Sequence, residues 1–243
     1  MTLVTLAVPA VLFVATLIRS TLGFGEALFA VPLLALLMPV EVAAPVAALV
    51  SITVAALVMI EDWRKVHAAS AWRLVLASMV GIPLGLALLK TASEGLVKTI
   101  LGLVIIAFAA YFLKNPQREE LRDDRLAWLF GFGAGILGGA YGMNGPPLVI
   151  YGGLRKWSPV HFRATLQGYF LPASMAVMAG YWLGGLWTTR VSRYYLISLP
   201  VILGAVVLGR FLNRRLDGRR FLLYAHAALA LLGAALVWQA WRG

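Results

Sequence analysis

Cysteine is missing from this 243-residue chain, which excludes disulfides and thiolate metal ligands and leaves the compartment open. Acidic side chains are scarce, ten against twenty-one lysines and arginines. Charge of either sign is scarce too: 13% of residues are charged and 61% are hydrophobic. A soluble domain runs near about half apolar and about a quarter charged, so that class is excluded. Catalytic signatures are absent as well. There is no HExxH, no GxSxG and no nucleotide-binding loop, and no second acid lies near Glu26 within its apolar run. An intramembrane enzyme and a chain that hydrolyses ATP are therefore disfavoured. His67, His161 and His226 have no ligand spacing, so no metal and no cofactor is expected. The N-terminus has no basic residue before its apolar core, which argues against a cleaved signal peptide.

What is present is a succession of apolar runs near span length. They predict an all-α, polytopic transmembrane helical bundle of one unit. The net charge of +11 would suggest nucleic acid in a soluble protein, but here basic loops that orient spans account for it. The expected partners are membrane lipids and a small anion, with no nucleic acid.

Apolar segments fall at about 3–22, 26–38, 42–60, 72–89 and 95–113, then at about 126–141, 146–154, 161–183, 194–212 and 220–241. Each group of five has the same order: long, short, then three long. The charged stretch KNPQREELRDDR is the linker, so the predicted units are 1–113, a loop 114–125, and 126–243. Four matches in register support a duplication: GFGEALFAVPLL with GMNGPPLVIYGG, MPVEVAA with SPVHFRA, GIPLG with GAVVLG, and TASEG with RRLDG. If all ten segments cross, the basic residues divide fifteen against five, with Arg19 left inside a span. If the short segments fail to cross, they divide ten against ten. The positive-inside rule selects the first arrangement. Five crossings per half invert one half relative to the other and put both termini on the periplasmic face of the inner membrane.

The stretch GGAYGMNGPPLVIYGG, residues 138–153, holds six glycines and a Pro-Pro pair inside an apolar region. An uninterrupted helix is not expected there. Glu26–Met38 would be about 20 Å long as a helix, shorter than a hydrocarbon core of about 30 Å. The turns GFGE and YGMNGPP are thus expected within the membrane, meeting from opposite faces. Short helices after Gly25 and Gly145 would aim free N–H groups and partial positive charge at one central volume, which suits an anion. Pro146 and Pro147 fit a first helical turn. The plainer alternative is close packing by small residues, which suits Gly81, Gly85, Gly204 and Gly209 but not a paired Pro-Pro turn.

The polar residues cluster around these turns. Arg19 could hold an anion bidentately, or it could snorkel or pair with Glu26. Glu26 could carry a proton coupled to transport or simply neutralise Arg19. Gly23, Gly25, Gly142 and Gly145 allow close approach, and Asn144 offers an amide. Arg163, Thr165 and Gln167 open the segment beside the second turn, and Pro172 should kink it. Tyr141, Tyr151 and Tyr169 either line a path or pack. Trp63, Trp72, Trp182, Trp187 and Trp241 read as interfacial anchors.

Gly23-Phe24-Gly25-Glu26 with Pro32-Leu33-Leu34, and Gly142-Met143-Asn144-Gly145-Pro146-Pro147-Leu148, resemble the duplicated turns of the sulfite exporter TauE/SafE family, also called TSUP. The resemblance implies a secondary transporter of sulfite, organosulfonates or small carboxylates. Glu26 and Asn144 depart from the family's glycine triplet. The expectation is alternating access, the two halves rocking about Arg19, Gly23, Gly25, Glu26, Tyr141, Gly142, Asn144, Gly145, Arg163, Thr165 and Gln167, with Glu26 coupling. An anion channel is the rival, and a structural subunit fits the paired broken helices less well.

Overall fold

The computed structural model describes residues 3–62, 68–114, 121, 123–213 and 218–242. Trp63, His67, residues 115–120 and 122 of the charged loop and most of the RRLDG turn lie outside the described residues. The order among those described is α1 (Leu3–Leu22), α2 (Glu26–Ala35), α3 (Val40–Asp62), α4 (Ala68–Thr91) and α5 (Glu94–Leu113), then α6 (Ala127–Tyr141), α7 (Gly145–Leu154), α8 (Pro159–Leu183), α9 (Thr189–Asn213) and α10 (Gly218–Arg242). Hydropathy and the glycine and proline punctuation thus locate each described helix to within five residues at either end, the start of α9 being the widest miss.

Five of these helices, α1, α3, α4, α5 and α9, are long and apolar enough to cross a membrane. Two more, α8 and α10, have 25 residues each but carry polar side chains such as Gln167 and Gln239. The shortest are α2 and α7, 10 residues each. At 1.5 Å per residue each is about 15 Å long, half of a hydrocarbon core. A helix that short ends part-way through the bundle.

Both breaks are made by glycine in the left-handed region. The chain leaves α1 through Gly23 at φ 89° and enters α2 through Gly25 at φ 101°. It leaves α6 through Gly142 at φ 63°. A side chain on Gly142 would also meet the Ala44 carbonyl at 2.6 Å, so this turn lies directly on α3. Asn144 caps α7, which starts at Gly145 with the two prolines in its first turn. Pro172 lies inside α8, which continues to Leu183.

Packing joins the two halves. The main helix pairs are α1 with α9, α4 with α6, α3 with α8 and α5 with α10. The first helix of each half therefore lies on the fourth helix of the other. Small residues set the distances. A Cβ on Gly81 or Gly85 would overlap the carbonyls of Phe132 and Ile136, and one on Gly131, Gly135 or Gly139 would overlap the backbone of α4. Those contacts rise in number together, so α4 and α6 run parallel. Gly209 packs on Leu17 and Ser20 in the same sense. Gly204 has no atom within 4 Å of its Cβ position, so the packing role expected for it does not hold.

The α5–α10 pair is different. Gly95 faces Ala240, Gly102 faces Gly233, and Phe112 stacks on His226 at 4.8 Å. Numbers rise on one helix as they fall on the other, so these corresponding helices are antiparallel.

Candidate functional site

Arg19 stands in the last turn of α1, four residues before the break at Gly23, and is 3% exposed. An unpaired buried guanidinium would be costly, so its contacts define the site. Its Nη1 donates to Glu26 Oε2 at 2.5 Å and to Ser51 Oγ at 2.9 Å. Its Nη2 donates to Gln167 Oε1 at 2.8 Å. Gln167 Nε2 in turn donates to the Gly23 carbonyl at 2.8 Å, and Ser174 Oγ donates to Ser51 Oγ at 3.2 Å. The guanidinium carbon lies 4.9 Å from the centre of the Phe170 ring, a cation–π contact. One arginine thereby links α1, α2, α3 and α8.

The network is incomplete at two atoms. Arg19 Nε and Glu26 Oε1 are buried and have no hydrogen-bond partner. Both side chains border a cavity of about 20 Å³ framed by Gly25, Glu26 and Ala27 from the start of α2 and by Asn144, Gly145 and Pro146 from the start of α7. Ser51, Phe24, Met143 and Phe170 complete much of its wall. That volume suits a single water molecule. An oxyanion with three or four oxygens needs the turns to part.

Both short helices present their N-termini to this cavity, where four N–H groups per helix lack intrahelical partners. The partial positive charge there favours an anion. The two ends are unequal as donors, because Pro146 and Pro147 have no N–H while Glu26, Ala27 and Leu28 do.

The structure brings Arg19, Gly25, Glu26, Asn144 and Gly145 to the cavity, with Gln167 and Gly23 one hydrogen bond away. Tyr141 is not part of it: it is fully buried, and its hydroxyl donates to the Val97 carbonyl at 3.0 Å. Gly142 turns against Ala44, and Thr165 is buried within α8 away from the lining. The side chain of Arg163 lies outside the described residues. Tyr169 packs edge-on against Phe170, and Tyr151 donates to Asp124 Oδ1 at 2.8 Å. Ser51, Ser174 and Phe170 join the site although the sequence did not single them out. A hydroxyl in the middle of the most apolar long helix was the available signal for Ser51. No group of three or more metal-ligating side chains occurs among the described residues.

A turn of this type in each half beside a buried arginine accords with a match that spans residues 8–236, to the family described as sulfite exporter TauE/SafE. The chain belongs to the TauE/SafE family. It is accordingly a multi-pass membrane protein of an exporter family and not an enzyme. A curated relative from Cupriavidus necator, named "Probable sulfite/organosulfonate exporter TauE", is 30% identical over 151 residues. The alignment covers 61% of this chain and 58% of that relative, so the chain spans less than two thirds of its length. No solved structure matches this TauE/SafE chain.

Proposed function

We propose that this protein is a secondary carrier of the inner membrane that moves a small oxyanion, sulfite or an organosulfonate, through the space between its two broken helices. The observation that carries the reading is Arg19, buried with an unpartnered Nε beside a cavity onto which two helix N-termini open. Family membership and the relative's printed name supply the substrate class. Small carboxylates share the chemistry that Arg19 recognises.

In this reading the halves are inverted, with both termini periplasmic and the 114–125 loop cytoplasmic. The antiparallel run of α5 against α10 supports it, because corresponding helices of two parallel copies would run the same way. The fifteen-to-five division of basic residues supports it too. Access alternates as the turns open first to one face and then to the other.

Glu26 is the coupling group. As a carboxylate it occupies Arg19, and an incoming anion must displace it. A proton on Glu26 releases the guanidinium for the substrate.

Replacing Arg19 with Gln is expected to abolish sulfite and methanesulfonate uptake in proteoliposomes while the protein remains folded. Unchanged uptake would overturn the assignment. Saturation and counterflow identify a carrier; large single-channel currents would identify a pore instead.

A further inference from the structure

The charges around the cavity limit what it can take. Among the described residues, α1 contributes Arg19, α3 contributes Ser51, α7 contributes Asn144 at its cap, and α8 contributes Gln167 and Phe170. Helices α5 and α10 also pack on α2, and Gln239 reaches the Leu36 carbonyl just past its far end. Among the described side chains of these elements, which do not include that of Arg163 on α8, Glu26 faces one cation, Arg19, and no second acid or base. The described groups of the empty site are neutral together: one guanidinium, one carboxylate.

An anion entering beside an ionised Glu26 would put two negative charges on one cation in a water-poor interior. Protonation of Glu26 removes the conflict and leaves a single positive charge on Arg19. A monoanion restores neutrality, whereas a dianion leaves one uncompensated negative charge. The remaining wall is apolar, formed by Phe24, Ala27, Leu28, Met143 and Phe170. It offers a short hydrocarbon group an apolar surface beside the guanidinium.

We infer that this site carries a singly charged anion bearing a small apolar group, such as a short alkylsulfonate, together with one proton on Glu26, and rejects dianions. The inference rests on the carrier reading above. The proton comes from water on the loading face and joins a Glu26 oxygen as the anion takes Arg19. On the opposite face the anion leaves, the proton returns to water, and Glu26 again accepts from Arg19. One proton and one monoanion cross together, so no net charge moves.

The test is calorimetric binding of methanesulfonate and of sulfate to the full-length protein, at about pH 6 and about pH 8, where free carboxylates are ionised and both probes keep fixed charge. Methanesulfonate is expected to bind at least about tenfold tighter than sulfate, and to weaken by up to about tenfold per pH unit as its proton must be supplied. In Glu26→Gln the pH dependence of methanesulfonate binding should vanish. Proteoliposome uptake of methanesulfonate by the unmodified protein should be indifferent to an imposed membrane potential. Equal binding of sulfate, a pH-independent affinity in the unmodified protein, or potential-driven uptake overturns the charge rule and leaves the carrier reading intact. Failure of both anions to bind overturns the carrier reading as well. Every decisive measurement can be made on the unmodified protein, so a misfolded variant does not obscure the result.

Discussion

The helices α2 and α7 have the same length and both start at the cavity, yet they are built and held differently. Entry to α2 is made by Gly25 at φ 101°, and its first turn keeps its N–H donors and adds Glu26. Entry to α7 is made by Asn144, Gly145 and two prolines, so much of its donor capacity is gone while its dipole remains. The far ends differ as well. Tyr151 and Arg155 tie the end of α7 to Asp124, which also pairs with Arg73 of α4 at 3.3 Å. The far end of α2 receives one side-chain bond among those described, from Gln239 to Leu36. The two short helices thus share a length and a glycine-made entry while their chemistry differs. In the proposed function the α2 side, with Arg19 beside it, binds and exchanges a proton, while the α7 side supplies shape and a fixed field.

The comparison is most easily broken at Arg19. Replacing it with Leu strands the Glu26 carboxylate and should cost about 3–5 kcal/mol, read as a lower melting temperature in detergent. Adding Gln at position 26 to that variant should recover much of the loss. The next largest effect concerns the glycines. Gly142→Ala combines a left-handed backbone with a clash on Ala44, and Gly25→Ala forces the left-handed conformation alone. Each should cost about 1–3 kcal/mol, Gly142 at the upper end. Gly145→Ala meets only Phe170 at 3.8 Å and should be tolerated, although all three belong to similar motifs.

Asp124→Asn should loosen the end of α7 by about 1 kcal/mol, discounted because Arg73 is one-third exposed. Since the chain has no cysteine, one introduced at Gly153 would report that loosening by its rate of thiol labelling. The smallest effect is expected from Pro146→Ala, which returns one N–H to α7. A gain of about 0.5 kcal/mol in methanesulfonate binding would show that donors, more than dipoles, distinguish the two helices.

The helices and both breaks were legible because long apolar runs interrupted by Gly and Pro carry local information. So were Arg19 and Glu26, since charge inside a span needs a partner and their separation of seven residues across a turn allows one. The rest of the site was not legible. Ser51 looks like any hydroxyl that bonds its own helix, and its contact with Ser174 depends on α3 meeting α8. Gln167 could be suspected from its place in α8, but its bridge to both Arg19 and Gly23 is a tertiary fact. Tyr141 could be read from its position beside the turn as lining a path or as packing, and its hydroxyl bonds the Val97 carbonyl, a tertiary contact that the sequence does not show. Gly204 likewise shares a motif with packed glycines but touches nothing.

The close backbone approach of α4 and α6 at Gly81, Gly85, Gly131, Gly135 and Gly139 has a mechanical consequence. Two backbones this close, with no side chains between them to change rotamer, slide or part only by losing most of their contact at once. In the proposed transport cycle α4 and α6 then travel together as one stiff body. That body takes one helix from each side of the 114–125 loop, so it cannot move with either side alone.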